Sequence, residues 1–378
     1  MTEGLSNVAP IATAEQWGDH RHAREQRGKR RKIAHLSAAA DRSSSSLTFL
    51  EVNTVRESTA ARYRQALDDF QKWMTTNMMD DTTVESVDQA VIEFLEDRYF
   101  KGYGANTGEF LLCALRFYVP SFRESTVVLP RAHRALRGYR RLSPGFSRAP
   151  LPAVALSALV GSALFAQDLE LAVAMVVCFI CYLRPGELLS LKANQIILPV
   201  RGSQTSHAAV LLAPFEGQVA TKTGKLDDSV IIDWKELPSV TKILAKLAGN
   251  RGDQKLWSFN HTEFNKKFAE HAEKSGVSAL RPHPYALRHG GASFDAFHRR
   301  REVGANQLRG RWRAESSVAC YNKHARLMKE VAVLPAATRE FGDKIFKDLD
   351  QYLGGKLKVK QLPRINRVLG TASKRRRA

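Results

Sequence analysis

Residues 168–191 read DLELAVAMVVCFICYLRPGELLSL. The spacing predicts a helix over 168–184 that is apolar nearly all round, so it is expected to be buried inside a core rather than laid on a surface. Its uncharged run from Leu171 to Leu183 is 13 residues, short of the ~18 needed to span a bilayer. The stretch then turns abruptly polar at Arg184-Pro185-Gly186-Glu187.

Upstream, residues 153–165 form a second expected helix, preceded by Arg141 to Pro152 (RLSPGFSRAPLP), whose three prolines and one glycine are linker composition. Downstream, β-rich runs occupy Ala208 to Leu212, Gly217 to Ala220 and Ser229 to Asp233, with the polar turn Lys222-Thr223-Gly224-Lys225 between the last two. Helices resume near Pro238. The expected fold class is therefore mainly α with one small antiparallel sheet, an α+β domain. Ahead of the linker, Tyr63, Leu67, Phe70, Trp73 and Met74 recur at helical spacing after a cap at Ser58 or Thr59. Further helices are expected over Asp88 to Phe100, from a cap at Asn106 or Thr107 through Phe117, and over Ala132 to Arg141. The organisation is a basic tail (1–53), a helical domain (54–141), a linker (142–152), a second domain (153–330), and a C-terminal helical segment with a basic tail (331–378).

Lys and Arg number 58 against 38 Asp and Glu, a formal net charge of +20 over 378 residues. Such a surplus favours a polyanionic partner and says nothing about fold. Hydrophobic residues make up 44%, which excludes wholesale disorder. The four cysteines, Cys113, Cys178, Cys181 and Cys320, are too few and scattered for a disulfide scaffold. The N-terminus lacks the apolar stretch of a secretory signal, so a soluble intracellular chain is expected. The basic clusters at Arg21 to Lys32 and Lys374 to Arg377 suit nuclear import or phosphate-contacting arms. The expected location is the nucleus in a eukaryote and otherwise the cytoplasm or nucleoid.

Chemistry concentrates late in the chain. Between Arg281 and Arg313 stand eight arginines and only two acids, Asp295 and Glu302. Several adjoin apolar or aromatic residues, as in Leu287-Arg288 and Arg311-Trp312-Arg313, which suits a partly buried anion site. Four local patterns occur in order: Cys181-Tyr182-Leu183-Arg184-Pro185-Gly186-Glu187; Ala220-Thr221-Lys222-Thr223-Gly224-Lys225; Pro284-Tyr285-Ala286-Leu287-Arg288-His289-Gly290-Gly291-Ala292-Ser293; and Leu308-Arg309-Gly310-Arg311-Trp312 with Tyr321 nine residues on.

This ordered set resembles the tyrosine recombinases, the phage-integrase type of site-specific recombinase, over about residues 54–330. The resemblance implies that Arg184 and Arg288 are the two catalytic arginines and that Glu187 is the acidic neighbour of the first. Lys222 would be the hairpin lysine, with Lys225 the fallback. Trp312 would stand in the His-or-Trp position and Tyr321 would be the nucleophile. One position departs from the pattern: Tyr285 stands where the family usually has His. A tyrosine can donate a hydrogen bond to phosphate, but with a pKa of ~10 it is a poor proton carrier near neutrality. His289 is assigned a supporting role. Arg62, Arg64, Lys72 and Arg311 are the expected DNA contacts.

The residue set is also chemically coherent on its own. Breaking a DNA strand while conserving the phosphodiester energy needs a protein nucleophile, and a phenol serves if neighbouring cations favour its charged form. Two arginine forks suit charge developing on non-bridging oxygens, and a lysine can protonate a departing oxygen. No HExxH, Walker A loop, GxGxxG or clustered carboxylates occur, and Cys178 with Cys181 lies inside an apolar helix, so neither cofactor nor metal is expected. The expected activity is strand breakage and rejoining through a 3′-phosphotyrosine link, with double-stranded DNA as partner, a homo-tetramer on DNA, and no membrane. The alternatives are relaxation of the type IB topoisomerase kind and a catalytically degenerate DNA-binding protein.

Overall fold

A computed structural model describes residues 47–119, 122, 129–145, 149–200, 207–217, 226–249, 251–319, 321 and 324–364. The chain divides into two compact units, with the change at Phe146 and Ser147, inside the proline-bearing stretch.

The first unit is helical: α1 (Glu57–Thr76), α2 (Val84–Phe100), α3 (Asn106–Tyr118) and α4 (Pro130–Leu142), after a single turn at Phe49–Val52. The first helix begins earlier than expected, with Arg56 rather than Ser58 or Thr59 at its N-cap. Likewise α2 begins at Val84, because Thr83 and Ser86 cap it reciprocally. Phe70, Phe94, Leu95, Leu111, Leu112 and Tyr139 form the core. Asp88, buried on α2, accepts the backbone N–H of Arg131 at 3.1 Å and of Ala132 at 2.8 Å. A carboxylate thereby meets two of the unpaired donors, and the positive dipole end, of a helix that carries almost nothing but basic charge.

The second unit is built around α6 (Leu169–Ile180), every residue of which from Leu171 onward is buried. Against it lie α5 (Ala153–Phe165) and the short α7 (Pro185–Ser190), followed by β1 (Ile196–Ile197), β2 (Ala208–Leu212) and β3 (Asp228–Ile232). The remaining helices are α8 (Pro238–Ala248), α9 (His261–Ser275), α10 (Tyr285–Phe297), α11 (Val303–Gly310), α12 (Ser316–Ala319), α13 (His324–Val333), α14 (Ala336–Lys347) and α15 (Leu349–Leu353). The three strands pair antiparallel in chain order, with Ile197 opposite Ala209 and Ala209 opposite Ile231. The architecture is mainly α with a small antiparallel sheet. The expected run at Gly217 to Ala220 is not a strand at Gly217, which closes a single 3₁₀ turn; the rest of that run, and the turn bearing Lys222 and Lys225, lie outside the described residues.

No described helix is long and apolar enough to cross a membrane. Residues 331–364, part of the segment set apart by the sequence pattern, contribute Leu334, Ile345, Leu349, Tyr352 and Leu353 to this unit's core, and α14 packs closely on α5 at a glycine on each helix. A methyl on Gly161 would stand 2.7 Å from the Phe341 ring, and one on Gly342 would overlap the carbonyl of Val154.

Candidate active site

The buried helix α6 ends at a left-handed residue. Tyr182 has φ 49°, a conformation that costs a non-glycine residue roughly 1–2 kcal/mol. This turn reverses the chain so that Arg184 becomes the N-cap of α7, and Pro185 at the first helical position holds φ where the helix needs it. One turn later Glu187 reaches back and accepts the Arg184 backbone N–H at 2.7 Å and its guanidinium as well.

Helix α10 brings in the second arginine. Two glycines follow Arg288, and neither has room for a side chain. A methyl on Gly290 would overlap the Leu151 carbonyl, and one on Gly291 would overlap that of Phe179. The helix therefore lies directly on the end of α6. There Arg288, 0% exposed, donates to the Tyr182 and Gly310 carbonyls. Arg311, with φ 54° just past the end of α11, donates to Glu187 Oε2 at 2.6 Å and to the Tyr182 carbonyl at 3.4 Å. Arg311, an expected DNA contact, is 6% exposed, with its guanidinium against Glu187.

Three guanidinium groups thus converge on Glu187, with Arg288 Nη1 at 4.0 Å and Asp228 Oδ2 standing 3.6 Å from Arg311 Nε. Three cations face two carboxylates, so positive charge is left over. Burial acts to raise the Glu187 pKa, but the charges of Arg311 and Arg184 outweigh it and hold the carboxyl below its usual range. Burial, together with the charges of Arg184 and Arg311, pulls Arg288 below the ordinary arginine value. The Nε of Arg288 and of Arg311 are buried with no acceptor among the described residues. Buried cations held close together with unused donors are the conditions of an anion site.

Tyr321 lies at the rim of this cluster, 7% exposed. Its ring is 4.4 Å from that of Trp312 and 5.0 Å from that of His289, measured between centroids. Trp312 in turn lies over Gly310, where any side chain would collide with the indole, and 5.0 Å from the Arg288 guanidinium carbon. Burial pushes the Tyr321 pKa up, while Arg288 and the Trp312 indole N–H act in the opposite direction by favouring the charged phenol. Tyr285 begins α10, its ring 5.3 Å from His289, and its phenol acts on Arg184 by charge and by hydrogen bonding.

The structure accordingly gathers Arg184, Glu187, Tyr285, Arg288, His289, Trp312 and Tyr321 in one place, and adds Arg311. Of the expected DNA contacts in the first unit, Arg62 is exposed with its guanidinium carbon 5.4 Å from the Phe110 ring centre. Arg64 pairs with Glu57 at 2.6 Å, and Lys72 is exposed. Among the described residues no group of three His, Cys, Asp or Glu could hold a metal ion. Cys178 and Cys181 are buried, and Cys178 Sγ contacts the Leu183 carbonyl at 3.2 Å.

The chain is similar to solved recombinases. The crystal structure of XerA recombinase matches at 15% identity over 71% of this chain and 98% of that one, with a TM-score of 0.36. The XerH site-specific recombinase bound to difH substrate, a pre-cleavage complex, matches at 14% identity over 65% of this chain and 77% of that one, with a TM-score of 0.35. No family model and no curated protein matches the chain.

Proposed function

We propose that this protein breaks and rejoins DNA strands by transesterification, with Tyr321 as nucleophile, in the manner of a site-specific recombinase. The observation that carries the proposal is a buried tyrosine beside a buried arginine cluster with charge to spare: a nucleophile next to an anion site. The Tyr321 phenol loses its proton to solvent, and the phenolate oxygen attacks a backbone phosphorus. The bond to the 5′-oxygen breaks, leaving a 3′-phosphotyrosine link. Arg184 and Arg288 meet the charge on the non-bridging oxygens. Arg311 keeps Glu187 occupied, so that this carboxylate orients Arg184 without cancelling the whole cluster.

Lys222 protonates the departing 5′-oxygen, which is a poor leaving group as an alkoxide. Trp312 packs on the phenol and donates to it. Tyr285 takes the position where a histidine would move a proton and offers a hydrogen bond instead. Attack by the 5′-hydroxyl of a partner strand reverses the step on new connectivity, which requires four protomers on two duplexes. The net charge of +20 supports the partner, a duplex polyanion, whose binding weakens steeply with salt.

The test is relaxation of supercoiled plasmid in EDTA, with an SDS gel for covalent protein–DNA adduct. Relaxation and adduct in the wild type, both lost in Tyr321→Phe, support the proposal. Tight DNA binding with neither product, on nicked plasmid as well, removes it.

A further inference from the structure

Tyr182 takes no part in the chemistry above, yet both its side chain and its carbonyl are tied beside it. It is 0% exposed in a left-handed conformation. Glycine fits such a position best, so the turn by itself gives no reason for a tyrosine. The phenol supplies one. It donates to Asp295 Oδ2 at 2.5 Å, across 113 residues of sequence. The Asn306 amide stands 3.0 Å from the same phenol oxygen. A phenol has one hydrogen and has given it to Asp295, so the amide satisfies all three groups when turned to donate its N–H.

Asp295 is in turn held by Arg301 Nε at 2.8 Å, with Arg300 Nε 3.7 Å from its other oxygen. Arg301 continues to Asp233 at 2.6 Å. Arg309 shares Asp233 at 3.2 Å and donates to the Ile180 carbonyl at 2.9 Å and 2.7 Å through two of its nitrogens. The turn is therefore clamped through the Tyr182 side chain and through the backbone two residues before it. Its free end is the Tyr182 carbonyl, the acceptor that Arg288 and Arg311 share.

We propose that Tyr182 is a positioning residue: its phenol, latched to Asp295, fixes the carbonyl that aligns Arg288 and Arg311 toward an incoming phosphate. The inference rests on the active site proposed above. It adds a second layer behind the arginines, consisting of Tyr182, Asp295 and Asn306 with Arg301 behind them. A carbonyl that shifts lets both guanidinium groups shift with it, which affects the transition state more than it affects capture of DNA by the rest of the surface.

The test uses the full chain as wild type, Tyr182→Gly and Tyr182→Phe. Glycine relieves the backbone and removes the latch, while phenylalanine keeps the ring and removes only the oxygen. Two readouts are taken. The first is the rise in melting temperature produced by inorganic phosphate, which reports anion binding at the cluster without any turnover. The second is the rate of adduct formation on nicked plasmid at saturating DNA, set against DNA affinity.

The latch predicts that both variants lose most of the phosphate increment. They should form adduct about 10²-fold more slowly, the scale of an ångström-level misplacement, with DNA affinity unchanged. A merely structural tyrosine would lower the melting temperature in the absence of phosphate and leave the increment and the rate alone. If Tyr182→Gly does not fold, Tyr182→Phe is read in the same way. The latch is overturned by a variant that keeps the wild-type increment, or by a wild type that shows none. A wild type that gains the increment, loses it in the variants, and forms no adduct supports the latch while removing the proposed function.

Discussion

Replacing Gly291 by alanine should separate the two halves of the site. A methyl there overlaps the Phe179 carbonyl oxygen and stands 2.8 Å from the carbonyl carbon and 3.0 Å from Tyr182 Cδ1. Carbon contacts are optimal at ~3.5–4.0 Å, and the obstacle is backbone, which has no rotamer to escape into. Helix α10 must therefore retreat from the end of α6 by about 1 Å, taking Arg288 away from the Tyr182 carbonyl. Overpacking of this kind costs about 1–3 kcal/mol, and in a unit of this size each kcal/mol lowers Tm by about 2–4 °C. The misplacement of Arg288 should slow adduct formation by about 10²-fold. Calorimetry and single-turnover adduct formation at saturating DNA read the two effects. A Gly291→Ala protein with wild-type Tm and wild-type rate would refute the reasoning that this close approach positions the arginine. The same loss of rate in Gly186→Ala, where a methyl meets nothing within 4 Å, would show that the effect does not come from contact.

Three further outcomes follow from the same geometry. Glu187→Gln leaves Arg184, Arg288 and Arg311 without their shared carboxylate, so Tm should fall in phosphate-free buffer and recover with added phosphate more than the wild type gains; equal phosphate increments would contradict this. The Tyr321 pKa is raised by burial, so the rate of adduct formation should still be climbing past pH ~9, near the ordinary phenol range, and a plateau below pH 8 would contradict deprotonation of Tyr321 as the controlling step. His271 is buried, with Nδ1 2.9 Å from Ser162 Oγ, and burial holds its pKa below the usual histidine value. Its neutral form is the one the fold accommodates, so this stabilisation is present above the unfolded pKa of ~6.5 and is lost as pH falls through the folded value. Melting temperatures at pH 7.5 and 5 should show that loss in the wild type and a smaller one in His271→Gln.

What the sequence made legible was local. Arg184 with Glu187, and Arg288 with His289, sit within one helical turn of each other, so their juxtaposition follows from spacing alone. The helices expected over 153–165 and 168–184 were legible because long apolar runs admit little else, but the second stops at Ile180, four residues short of the expected end, where the chain turns through a left-handed Tyr182. Helix starts were less so: α2 begins four residues before the expected Asp88 because Thr83 and Ser86 complete a capping box with serine where glutamate is the usual signal. The two-residue strand β1 is too short to carry any alternation. Arg311, beside Trp312, suited a partly buried anion site and was expected to contact DNA, but its partner Glu187 lies 124 residues away and no local pattern pointed to it. Tyr182 and Asp295 are comparably distant, and only the close approach of α10 to α6 joins them. The two glycines after Arg288 were a usable signal of that approach.

The most direct measurement of the central claim is the site of covalent attachment. Adduct formed on nicked plasmid in EDTA is trapped with SDS, trimmed with nuclease and digested, and the nucleotide-bearing peptide is sequenced by mass spectrometry. The account predicts a single modified residue, Tyr321, joined to a 3′-phosphate. Attachment at Tyr285, at any other residue, or through a 5′-phosphate would contradict it.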